Sequence, residues 1–226
     1  MSSIKYYNIH THREFDSPDV IQIVSLECSE FHKIKEGKLF SIGIHPWKIP
    51  ENFKKTLTDL EQLLKTNPSI IAVGEIGLDK CCSTPFALQD IVFKKQLQLA
   101  EKYEKPIIIH CVKAWQEIIA IKKDYQNQKW IIHSFNKSYK QAKRLFKKSF
   151  FLSFGTGMLK NSKIAEALKQ APLNKFFLET DTSSADIVEL YKKAADIRRI
   201  ELKKLVPLIE GNFRKVFGEK FINDKK

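Results

Sequence analysis

The sequence predicts an α/β fold of the TIM-type (β/α)8 barrel class, and three observations carry that prediction. Eight short apolar or β-branched runs recur along the 226 residues, each of a length suited to a buried strand. Stretches with helical spacing lie between the later runs, and strand-helix alternation is the pattern of a parallel sheet. No G-x-G-x-x-G or P-loop follows any run, which removes the main reason to prefer an open nucleotide-binding sheet. A barrel of this kind is commonly built from one chain of about this length, so a single domain over 1–226 is expected.

The strand runs are 6–9, 20–26, 39–44, 70–73, 107–109, 130–132, 150–154 and 176–178. Helical spacing covers 53–64, 87–103, 115–125, 139–146 and 164–168. The connection from His12 to Val20 is short, because a parallel crossover usually needs a dozen or so residues. Either the first helix is missing or the run 20–26 pairs antiparallel. After the last run, 186–195 and 200–217 form two closing helices, with Pro207 marking a kink or break in the second. The tail 219–226 is polar and expected to fray.

Hydrophobic residues make up 43% of the chain and include sixteen Phe, enough for a sizeable core and unlike a disordered composition. The net charge of +13 invites polyanions, although lysines spread along helices also serve as helix formers and solvated surface. Cys28, Cys81, Cys82 and Cys111 show no C-x-x-C spacing, which argues against a structural zinc site or disulfide framework and for a reducing compartment. The start lacks a signal-like apolar stretch, and nowhere do eighteen apolar residues run together. A soluble, cytoplasmic protein with no membrane partner and no small-molecule cofactor is expected.

Chemistry centres on the histidines. His10 and His12 stand two apart at the end of the first run, so a strand presents both on one side, where one divalent ion is within reach of both. His45, His110 and His133 also fall at or just past the ends of runs, where a barrel builds its active site, whereas His32 lies in a polar stretch as a solvated loop residue. Glu75 and Asp181 occupy equivalent positions after the fourth and eighth runs. A carboxylate there must be solvated, paired or metal-bound, since an unpaired buried charge is too costly. Singly, each residue has a simpler role: His110 and His133 as hydrogen-bonded core histidines, Glu75 and Asp181 as helix caps. Their joint placement favours a metal site.

The pieces Asn8-Ile-His-Thr-His12, Gly43-Ile-His-Pro46, Gly74-Glu-Ile-Gly-Leu-Asp79, Ile109-His110, His133-Ser-Phe135, Glu179-Thr-Asp181 and Asn212-Phe213 occur in this order. In this ordered set the chain resembles the TatD family of metal-dependent hydrolases. The resemblance implies a TIM-type barrel with two divalent metal ions, one held by His10, His12 and Asp181, the other by His110 and His133, with Glu75 bridging them. Mixed imidazole and carboxylate ligation suits Zn²⁺ or Mn²⁺, while family members are typically Mg²⁺-dependent nucleases. It also implies a deoxyribonuclease, an exonuclease on DNA, in which a metal-activated water attacks phosphorus and Glu75 and Asp181 are catalytic. His45, in the Gly-x-His-Pro turn, is not needed as a ligand and either contacts a substrate phosphate or only stabilises the turn. The alternative within the same superfamily is an ester or amide hydrolase such as an aminoacyl-tRNA deacylase. Val112-Lys113, Asn136-Lys137 and Lys80 replace residues usual in the family, and the segment between His12 and His45 is shorter than usual, so the barrel is shortened between its first and third strands.

Overall fold

The computed structural model describes residues 4–219, so the tail expected to fray, 219–226, lies outside the described residues apart from Glu219. Eight strands form one sheet in sequence order: β1 (Tyr6–Thr11), β2 (Val20–Glu27), β3 (Leu39–Gly43), β4 (Ile70–Asp79), β5 (Ile107–Val112), β6 (Trp130–Ile132), β7 (Phe151–Phe154) and β8 (Phe176–Leu178). A bridge between Thr11 and Asp181 joins β1 to the residues after β8, so the fold is the (β/α)8 barrel class expected. β1 and β2 pair in parallel, so the short connection reflects a missing helix and not a reversed strand. A 3-10 turn, Cys28–Lys33, replaces the helix between β2 and β3 as well, with His32 exposed in it.

The helices are α1 (Phe53–Thr66), α2 (Phe86–Lys102), α3 (Trp115–Ile121), α4 (Tyr139–Phe146), α5 (Gly157–Lys160), α6 (Ser162–Gln170), α7 (Ile187–Arg198) and α8 (Leu202–Phe217). α3 is shorter than its apolar spacing predicts and ends in a 3-10 turn, Lys122–Asp124. α8 is one continuous helix through Pro207, so of the kink or break expected there the break does not occur. Proline removes a single backbone donor, and Leu205, Val206, Ile209 and Phe213 remain buried on either side of it. The cap of α7 is Asp186, whose Oδ1 accepts from the Val188 N–H at 2.8 Å, which leaves Asp181 free of a capping role.

By its contacts the chain divides into two units, Ser25–Ile131 and the remainder, with the divisions falling inside β2 and β6. In the unit Ser25–Ile131, β4 is buried along all ten residues, and it runs on well past the apolar stretch 70–73. Glycine makes this extension possible. A Cβ on Gly77 would stand 1.9 Å from the His110 carbonyl oxygen, and one on Gly74 would stand 2.7 Å from Ile108 Cβ. Backbone therefore meets backbone along β4 and β5, as the pairs Gly77–His110 and Asp79–Val112 show.

Two buried glutamines of α2 fix the strand ends in this unit. Gln96 accepts from the Ile44 N–H at 2.7 Å and donates to the Ile44 carbonyl at 3.1 Å. Gln89 does the same for Asp79, at 2.8 and 2.9 Å. Each amide satisfies backbone groups that leave the sheet ladder, and so sets where the next side chain points.

The other unit uses the same device. Tyr191 of α7 accepts from the Tyr7 N–H at 3.0 Å and donates to the Tyr7 carbonyl at 3.1 Å, while Asn212 of α8 donates to the carbonyls of Leu173 and Phe176. Around these clamps the core is aromatic: Tyr7, Phe213, Phe217 and Phe177 pack in a chain with ring centroids 4.7 to 6.0 Å apart. Burying such rings supplies most of the stabilisation, about 1.5–3 kcal/mol per fully buried large side chain.

Candidate metal centres

His10, His12 and Asp181 meet at the end of β1. Asn8 and Thr180 exchange hydrogen bonds at 2.8 and 3.0 Å, the Asp181 N–H donates to the His10 carbonyl at 3.0 Å, and the His12 N–H donates to the Asp181 carbonyl at 3.1 Å. This rung holds Asp181 in a left-handed conformation, φ 53°, which turns its carboxylate toward both imidazoles. Asp181 Oδ1 lies 3.8 Å from His10 Nε2 and 3.7 Å from His12 Nε2. Those separations exceed a hydrogen bond and approach the roughly 3.4 Å between two ligands each about 2.1 Å from one tetrahedral ion. The donor set therefore fits a divalent cation.

A neighbouring group in the same unit comprises His133, Glu179 and Asp181, whose ligand-type atoms lie within 4.8 Å of one another. His133 follows β6 directly, and its ring stands 4.5 Å from that of His10. Glu179 is completely buried; its Oε1 accepts from the Ser134 N–H at 2.6 Å and lies 3.5 Å from His133 Nδ1. Burial acts to raise the Glu179 pKa, but the adjoining His133, with His10 beyond it, outweighs burial and holds the carboxyl below its usual range.

In the unit Ser25–Ile131, His45, Glu75 and His110 form a third group within the same limit. The Trp47 N–H donates to His45 Nδ1 at 3.2 Å, which puts the imidazole proton on Nε2, 3.1 Å from Glu75 Oε1. His45 thus acts as a donor to Glu75. His110 faces two carboxylates, with Nδ1 2.8 Å from Glu75 Oε1 and Nε2 3.1 Å from Asp79 Oδ2. A neutral imidazole has one proton, so one of these contacts sets a lone pair against an anion unless a second proton or a cation lies between them. This donor set also fits a cation.

Asp79 was not among the residues that sequence reasoning singled out, and neither were Glu179 and Trp47. Trp47 Nε1–H donates to Asp79 Oδ2 at 2.6 Å and the Cys81 N–H to Oδ1 at 2.7 Å. Burial acts to raise the Asp79 pKa, but the hydrogen bonds from Trp47, Cys81 and His110 hold it below the usual carboxylate range. A signal was present: Asp79 is four residues after Glu75 in a strand, hence on the same face, and Glu179 is two before Asp181.

The unusual residues lie beside these groups. Lys80 pairs with Glu117 and sits 5.4 Å over the Phe86 ring, Lys113 takes a positive φ of 54° just past β5, and Asn136 and Lys137 are exposed in the loop after His133. None of the four cysteines is in a disulfide, and burial pushes the Cys28 thiol up to about 12. No helix among the described residues is long and apolar enough to cross a membrane.

Comparison with known proteins identifies the family and the fold. A metal-dependent hydrolase of Buchnera aphidicola, itself uncharacterized, is 34% identical over 158 residues, covering 68% of this chain and 59% of that protein. The human 3'-5' RNA nuclease TATDN2 is 36% identical over 164 residues, covering 69% of this chain but only 21% of its own length. The crystal structure of YjjV, a TatD homolog from Escherichia coli, superposes with a TM-score of 0.83 at 21% identity, covering 96% of this chain and 99% of that one, which shows a shared fold. The family model described as TatD related DNase matches residues 20–218, and the chain belongs to that family.

Proposed function

We propose that this protein is a metal-dependent nuclease that hydrolyses phosphodiester bonds of DNA, acting as an exonuclease on strand ends. The observation that carries the reading is the separation of His10, His12 and Asp181, too wide for hydrogen bonds and suited to a shared cation, in a member of the TatD related DNase family. We assign His10, His12, Glu75, His110, His133 and Asp181 as ligands of two divalent ions, Mg²⁺, Mn²⁺ or Zn²⁺. Such ions supply charge stabilisation for phosphate oxygens and acidify water.

The chain's own residues divide the remaining work by their access to solvent. Asp181 is 27% exposed at its side chain whereas Glu179 is 0%, which supports giving Asp181 the proton of the attacking water and Glu179 the holding of His133. Glu75 receives the His45 proton through a hydrogen bond, which keeps its second oxygen oriented for ligation. The human relative named as an RNA nuclease brings RNA in as a second substrate class.

A time course on 5′- and 3′-labelled DNA, with RNA in parallel and each metal in turn, tests the reading beside the Glu75→Gln protein. Laddered shortening of DNA, reduced at least about a hundredfold in Glu75→Gln, is expected. Shortening of RNA alone favours the RNA nuclease reading. A folded, metal-loaded protein that leaves both intact overturns the proposal in favour of the ester or amide hydrolase.

A further inference from the structure

From residue 125 to residue 165 the sequence contains nine Lys and Arg and not one Asp or Glu. Eight of these cations, Lys137, Lys140, Lys143, Arg144, Lys147, Lys148, Lys160 and Lys163, are exposed, and none makes an ion pair among the described residues. Other helices intersperse acids among their lysines, and some pair: Lys55 with Asp59, Lys94 with Asp90 and Lys192 with Glu189, each within one helical turn. Opposite charges at that spacing stabilise a helix, and the stretch 125–165 forgoes them.

The placement also works against helix stability. Lys140 lies in the first turn of α4 and Lys163 in the first turn of α6, where the helix dipole disfavours positive charge, and neither first turn holds an acid. Lys140, Lys143 and Arg144 follow helical spacing and fall on one side of α4, opposite the buried Ala142 and Leu145, and Lys147 and Lys148 continue the run in the turn just past its end. α4 packs against α6, and α6 against α5, which carries Lys160 and the exposed Leu159. The surface starts beside the candidate centre, since the loop bearing Lys137 leaves β6 at His133.

We infer that α4, with the loop before it and the start of α6, binds the phosphate backbone of a DNA strand. This rests on the nuclease reading and names the surface that holds the strand whose end is cut. The eight residues of α4 span about 12 Å at 1.5 Å per residue, the length of three or four phosphates at about 3.4 Å each. Lysines contact phosphate as point charges, so the surface grips a strand without reading its sequence.

The test measures binding with metal chelated, so that it does not depend on turnover. Fluorescence anisotropy with labelled oligothymidylate across a salt series compares the unaltered protein with K140Q/K143Q/R144Q/K147Q and with a control that removes as many cations elsewhere, K54Q/K55Q/K94Q/K95Q. The α4 variant is expected to bind at least about tenfold more weakly and to lose roughly 2–3 from the slope of log K against log salt, at about 0.7 per phosphate for a single strand. The control is expected to keep both the affinity and most of the slope. Equal behaviour of the two variants overturns the inference, as does binding of oligouridylate with none of oligothymidylate. If the fourfold change impairs folding, K140Q/R144Q carries the same test with about half the change in slope. Loss of binding on α4 in a protein that cleaves nothing with any metal refutes the nuclease reading while leaving the surface in place.

Discussion

Asp79 illustrates how a side chain one step removed from the proposed ligands positions them. Its Oδ1 accepts from the Cys81 N–H while its Oδ2 accepts from Trp47 and meets His110, so its charge keeps one imidazole nitrogen engaged and leaves the other directed at Glu75. Replacing it frees that ring. We expect Asp79→Ala to weaken divalent-metal binding by about 10–100-fold, measured by isothermal titration. Unchanged affinity would show that the contact is incidental. Residues of this kind are the hardest to read in a sequence. His10, His12, His110 and His133 announce themselves because five of the chain's six imidazoles, these four and His45, fall at or just past the ends of apolar runs. Asp79 and Glu179 have many ordinary uses at a strand end, and only the hydrogen bonds separate these uses.

At the level of elements, the eight strands were legible because each begins with a run of apolar residues that demands burial. Residues beyond such a run were harder to place. The second half of β4 carries Gly, Glu and Asp, which have low strand propensity, and it persists because the backbone of β5 approaches too closely for any side chain. Gly77→Ala is accordingly expected to lose roughly 3 kcal/mol or more of stability, seen as a lower denaturation midpoint, because the added carbon meets a carbonyl that cannot rotate away. A variant with the original midpoint would show that β4 and β5 separate at little cost. α5 escaped notice because four residues are too few to show a period, and α8 was expected to kink or break at Pro207 because proline cannot donate its one hydrogen bond, yet it runs on unbroken. Tertiary burial on both sides of Pro207 outweighed that local preference.

For the molecule as a whole, ions that bind only the folded chain stabilise it by mass action, by about 2.7 kcal/mol at a free concentration one hundred times the dissociation constant. Thermal melts with added Mn²⁺ or Zn²⁺ are therefore expected to rise with metal concentration and to fall back with chelator. His10→Ala with His12→Ala should remove most of that response, and a melt indifferent to metal in the unaltered protein would count against cation binding in these groups. The rung between Thr11 and Asp181 adds a temporal consequence. Its two sides are separated by 170 residues of sequence, so the cation-binding set at β1 does not exist until the eighth strand has been made. A ribosome extends a chain from its N-terminus, and an incomplete product carries His10 and His12 without their carboxylate. Capture of the ion is then a late event of synthesis that distinguishes finished chains from unfinished ones.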